Sequence, residues 1–140
     1  MPEVASGAED LILPSRLEVL DRVDTTTLEF ATRAGFDDAQ ASSVAMAVIE
    51  AVTNAVVHGN RKEAGKTVRI TYRWEPKAVT IVVHDEGEGF DLSSVPDPTD
   101  PERFMAFSGR GIYIMRQVMD SVRFDMNGRR GTTVTMRKSV

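Results

Sequence analysis

Glu50 and Asn54 stand four residues apart in a run, Ala45 to Asn60, that is otherwise almost wholly apolar or small. At helical spacing, a carboxylate and a carboxamide four apart share one face, one above the other. Neither is needed to make the helix, and burying either without a partner costs roughly 1–3 kcal/mol, more for the charge. A divalent cation is one candidate partner, because hard cations take oxygen ligands from such side chains. A short solvent-facing stripe is the alternative that this feature alone leaves open. His58 continues the stripe, and Val44, Ala45, Val48, Val52, Ala55 and Val56 mark a broad apolar face roughly opposite.

Three further groups carry possible chemistry. Asp85 ends the apolar strand face of Val79, Ile81 and Val83, so its carboxylate points toward whatever covers that face. Gly87 and Gly89 follow it and permit sharp turns and a close backbone approach. A buried carboxylate there could accept a hydrogen bond from an exocyclic amine; an ordinary acidic turn is the plain alternative. Gly109-Arg110-Gly111 opens a helix, and a helix N-terminus with glycines and an arginine suits a phosphate. It lacks the Lys-Ser/Thr ending of a P-loop, and a hinge would look the same. Gly131-Thr132-Thr133 enters the last strand and, taken alone, reads as a hairpin exit followed by strand formers.

These groups need elements to hold them. Leu11-Ile12-Leu13 is a short strand, and Ser15 with Glu18 has the spacing of a capping box for a helix over about 16–34. Asp37 and Gln40 repeat that signal for a second helix running to His58 and ending at Gly59. Period-two alternation predicts strands through Val68–Trp74 and Val79–Asp85, joined by a tight turn at Glu75-Pro76-Lys77. Residues 86–108 have no periodicity and read as a lid. A helix from Gly111, a strand through Val122, Phe124 and Met126, a turn at Asn127–Gly131 and a last strand through Val134 and Met136 complete the chain. Helices grouped apart from hairpin-joined strands predict an α+β fold: a two-layer α/β sandwich, its sheet mixed but mainly antiparallel, helices on one face.

The 140 residues suit one domain, over 11–140, behind a flexible N-terminus at 1–10. A net charge of −4 gives no general attraction to nucleic acid or anionic membrane. The chain has no cysteine, which removes thiolate chemistry, and two histidines, His58 and His84, too few for a multi-histidine metal centre. No signal peptide and no continuous membrane-length apolar run is expected, so the reading is cytoplasmic.

The four groups occur in a telling order: Glu-x-x-x-Asn, Asp-x-Gly-x-Gly, Gly-x-Gly, Gly-Thr. In this the chain resembles the GHKL (Bergerat-fold) ATPases over about residues 10–138. The N box falls at Glu50–Asn54, G1 at Asp85–Gly89, G2 at Gly109–Gly111 and G3 at Gly131–Thr132. Glu-x-x-x-Asn-Ala-x-x-His-Gly at 50–59 is similar to the bacterial anti-sigma-factor serine/threonine-protein kinases. The resemblance implies ATP and Mg²⁺ as cofactors. Asp85 would accept the adenine amino group, with Gly87 and Gly89 close to the base and Thr132, or Thr133, beside it. Asn54 would hold Mg²⁺; Gly109, Arg110 and Gly111 would meet the phosphates, with His58 at their edge and Arg103 a second lid arginine. Glu50 would be the general base acting on a serine or threonine hydroxyl, or on water in a weak ATPase.

The implied partners are a STAS-type antagonist protein, which is phosphorylated, and a sigma factor or similar regulator, which is sequestered; a homodimer is also implied as possible. A non-catalytic nucleotide-dependent binding module and a detached ATPase domain of a two-component histidine kinase are the alternatives. No phosphoacceptor helices and no relay domain of the gyrase type are expected.

Overall fold

The computed structural model describes residues 6–60, 65–87, 111–126 and 131–140, without the side chains of His58 and Met126. Five strands form one sheet in the order β1-β2-β3-β5-β4. They are β1 (Gly7–Pro14), β2 (Thr67–Glu75), β3 (Ala78–Asp85), β4 (Ser121–Met126) and β5 (Thr132–Ser139). All four pairings are antiparallel. Among the described residues three helices, α1 (Leu20–Arg33), α2 (Asp38–Asn54) and α3 (Gly111–Val118), accompany the sheet, giving the α+β sandwich that the patterning predicts.

The core follows from strand alternation. Val68, Ile70 and Tyr72 of β2, Val79, Ile81 and Val83 of β3, and Val134 and Met136 of β5 are buried beneath the helices. The opposite face carries Arg69, Thr71 and Arg73, then Thr80 and His84, then Thr133 and Thr135, all partly or fully exposed. Asp38–Val57 is long and apolar enough to cross a membrane by length and composition. Its buried residues Val44, Ala47, Val48, Ala51 and Val52 belong to the common core, which gives that apolarity an internal use.

Two local readings change. β1 begins at Gly7, ahead of Leu11, with Gly7 registered against Trp74. A side chain at Gly7 would run into the Trp74 ring, so glycine is what lets the strand extend this far. The Ser15–Glu18 capping box does not form. Arg16 is still extended, at φ −138° and ψ 148°, and the chain enters α1 through a 3-10 turn at Leu17–Val19 with no side-chain cap. The Ser15 hydroxyl is instead buried and without a partner among the described residues. The second box, by contrast, is complete: Asp37 accepts from the Gln40 N–H at 2.7 Å, and Gln40 accepts from the Asp37 N–H at 3.3 Å.

Tyr72 joins the layers. Its ring stacks on Phe30 of α1, centroids 4.6 Å apart, and its hydroxyl lies 2.8 Å from Thr27 Oγ1, which donates to the Val23 carbonyl. Burial pushes the phenol from 10.0 up to about 12, against a smaller opposing effect of the Thr27 hydroxyl. The folded state therefore keeps Tyr72 neutral where the unfolded chain ionises. Its contribution is intact below pH 10 and falls away as pH rises toward about 12. Tyr72→Phe should lower stability by about 1–2 kcal/mol at neutral pH. It should also flatten the loss of stability between pH 10 and 12, as followed by urea denaturation.

Candidate functional site

The site is built where α2 ends, α3 begins and β3 stops. Small residues let α2 pack tightly: Ala41, Ala45, Ala47 and Ala51 are all buried, and Glu50 and Asn54 lie half-buried on the remaining face. Regular helix ends at Asn54. Ala55–Gly59 form a wider π turn, closed by the Asn60 N–H donating to the Ala55 carbonyl at 2.8 Å. Such turns occur often at functional sites. Here the turn directly follows Asn54 and ends the 3.6-residue spacing that leads from it to His58.

Gly111, the first residue of α3, rests on this pair. A Cβ there would sit 3.0 Å from Asn54 Nδ2 and 3.2 Å from Glu50 Oε2. A carboxylate, an amide and a helix N-terminus thus share one place. Among the described residues no group of three acids or histidines could hold a metal. Magnesium does not need one, since it keeps several waters and takes few protein ligands.

Asp85 occupies the other end of the site. It is buried, 5% exposed, at the end of the helix-facing row of β3. Its Oδ1 accepts from the Gly87 N–H at 2.9 Å and the Thr132 N–H at 3.3 Å. Burial raises its pKa above the usual carboxylate value; these two N–H bonds, and more weakly His84 and Lys66, pull it back. Thr132 is also buried, and its Oγ1 has no partner among the described residues. A buried hydroxyl without a partner beside a carboxylate is a pair that a base carrying both donor and acceptor atoms would satisfy. Gly131 makes the approach possible. It holds φ +96°, and a Cβ there would collide with the Asp85 carbonyl.

Strand register separates the two threonines. Thr132 lies on the helix side with Asp85, whereas Thr133 pairs with His84 across the exposed face, Oγ1 2.8 Å from His84 Nδ1. Of the remaining candidates, Gly89, Arg103, Gly109, Arg110 and the His58 side chain lie outside the described residues. Asn60 was not singled out by sequence. It is fully buried and bonds to both Thr67 and Glu86, a pairing 26 residues away that no local pattern announces.

The histidine kinase-like ATPase domain family matches residues 13–138. This chain belongs to the GHKL family. The anti-sigma F factor of Clostridium acetobutylicum is 33% identical over 115 residues, covering 81% of this chain and 80% of that protein. This places the chain in the family's anti-sigma kinase branch. The anti-sigma F factor of Bacillus velezensis is 38% identical over 95 residues, 65% of this chain, and the chain spans only 64% of that relative's length. The serine-protein kinase RsbW of Bacillus subtilis is 27% identical over 135 residues, covering 92% and 83% of the two chains. A GHKL domain is an ATP-binding domain, and the unpartnered Thr132 hydroxyl, the Asp85 carboxylate and the bare Gly111 at Glu50 and Asn54 are compatible with that ligand.

Asp85 is costly to ionise where it stands, so Asp85→Asn separates folding from binding. The amide oxygen can still accept from Gly87 and Thr132. The unliganded variant should melt no lower than the parent, while ATP affinity by calorimetry should fall at least about tenfold. In the parent, affinity should decline as pH falls through the raised Asp85 pKa, starting above the usual carboxylate range. Gly111→Ala should keep the fold but weaken ATP binding in the same assay, because its methyl takes the space beside Asn54 and Glu50.

Proposed function

We propose that the chain is an Mg²⁺-dependent ATP:protein serine/threonine kinase that acts as an anti-sigma factor. In this reading it phosphorylates a small STAS-type antagonist protein in the cytoplasm and sequesters a sigma factor or similar regulator. The supporting observation is the placement of Glu50 and Asn54 together against the first residue of α3. The relatives named anti-sigma F factor and serine-protein kinase point the same way. Residues 11–140 form the catalytic domain, with 86–108 as its lid.

The division of labour is the one the family resemblance implies, and the positions of Glu50, Asn54, Asp85 and Thr132 support it. Asp85 accepts the adenine amino group on its carboxylate, oriented by the N–H groups of Gly87 and Thr132. Thr132 offers its buried hydroxyl to the base, directly or through a water. The N-terminus of α3 faces the phosphates with its free N–H groups and partial positive charge, joined by Gly109 and Arg110, with His58 at the edge. Gly87 and Gly89 keep the backbone close to the base. Asn54 would hold Mg²⁺, which, when bound, neutralises phosphate charge.

Glu50 takes the proton of the acceptor hydroxyl as its oxygen forms a bond to the γ-phosphorus and the bond to the β-phosphate oxygen breaks, releasing ADP. Phosphoryl transfer is mostly positioning and charge neutralisation, so one base in the right place is adequate. General-base catalysis of this kind contributes about 10²–10⁴-fold. Glu50→Gln should therefore leave ATP affinity within about threefold while cutting radiolabelled phosphate transfer to the antagonist protein by at least about a hundredfold. Undiminished transfer would show that Glu50 is not the base. In the parent protein, acid-labile label would instead point to a histidine acceptor, and no label at all to a binding module.

A further inference from the structure

Asn60 is a fully buried amide, 0% exposed, at the exit of the π turn. Its two side-chain ends face different parts of the fold. Oδ1 accepts from the Glu86 N–H at 2.8 Å, and Nδ2 donates to the Thr67 carbonyl at 2.9 Å. The partners fix which end is oxygen, since one is an N–H and the other a C=O. The Asn60 backbone is held in turn by the Ala55 carbonyl at 2.8 Å. Glu86 reinforces the link with its own carboxylate, which accepts from the Thr67 N–H at 2.5 Å.

One residue therefore joins three segments: the turn that follows Asn54, the first residue of β2, and the residue directly after Asp85. We propose that Asn60 is a positioning residue for adenine recognition. It fixes the Glu86 backbone, hence the Gly87 N–H that orients Asp85 Oδ1, and ties both to the end of the helix carrying Glu50 and Asn54. It acts through backbone and does not touch the nucleotide. The inference rests on the reading that adenine binds at Asp85.

The two ends of Asn60 can be separated by substitution. Asn60→Asp keeps an oxygen for the Glu86 N–H but sets a second oxygen against the Thr67 carbonyl. Asn60→Ala removes both bonds. The readout is the ratio of ATP to GTP affinity by calorimetry, measured with melting temperature for the parent and both variants. The parent prefers ATP, because guanine presents an oxygen to Asp85 where adenine presents an amine. N60A should lose at least about tenfold of that preference, and N60D should keep it within about threefold while melting lower.

A purely structural role would lower the melting temperature and leave the ratio alone. An unchanged ratio in N60A overturns the inference, and so does an N60D ratio as low as that of N60A. A parent without adenine preference overturns the underlying reading of Asp85 and the inference with it, which distinguishes the two failures. Should N60A not fold, amide hydrogen exchange in the parent decides: the Glu86 N–H should exchange slowly, and more slowly with ADP. Exchange at an open-loop rate with ADP bound overturns the inference.

Discussion

Taking the Asp85 carboxylate out of water disfavours its charged form, yet the end of β3 buries one. The geometry around it answers that conflict. Two backbone N–H groups, from Gly87 and Thr132, converge on one carboxylate oxygen. Each is available only because of a neighbouring backbone arrangement. The β5 strand comes within reach because Gly131 holds φ +96° and carries no side chain to strike the Asp85 carbonyl. The turn after Asp85 is held because Glu86 is bonded to Asn60 and Thr67. The ends of three strands and the exit of α2 thus converge around one carboxylate.

The helix layer obeys a related constraint. α2 lies close to the sheet, as the proposed role requires if its polar stripe and Asp85 are to serve one ligand. Its buried alanines allow that approach, and its valines fill the space left. The π turn then bends the chain back so that Asn60 reaches the start of β2 and the end of β3. Bare Gly111 lets α3 begin against Glu50 and Asn54. Among the described residues, glycines stand where backbone approaches most closely at the site, at Gly111 and Gly131, while the large Phe30–Tyr72–Trp74 cluster joins α1 to β2.

Much of this was legible because periodicity and caps are local. The alternation of β2 and β3 placed Asp85 on the core face, and the Asp37–Gln40 box marked the start of α2. The same capping signal at Ser15–Glu18 misled. Pairing of Pro14 with Thr67 carries β1 to the edge of that segment and leaves Arg16 extended, so tertiary structure overrode a local preference. Alternation from Val134 and Met136 puts Thr132 on the core face with Asp85 and Thr133 on the other, and the pairing of Thr133 with His84 agrees. The reach of Asn60 to Glu86 had no signal to read, because it spans 26 residues, and no residue type in Ala55–Gly59 marks the π turn.

The placement of these features bears on how such a site tolerates change. Residues that carry the sheet, such as Ile70, Ile81 and Met136, are wholly apolar contacts and can be exchanged for others of similar volume at modest cost. The Asp85 edge has no such latitude. Its local order depends on hydrogen bonds to one carboxylate oxygen, whose geometry an exchange of similar volume does not preserve. Asp85 itself illustrates the conflict: burial works against its charge, and the proposed ligand is what would give that charge a use. A fold selected for stability alone would place an apolar residue at that strand end. The carboxylate stands where the sheet alone would do better without it, and this is the physical ground for the binding role proposed for the end of β3.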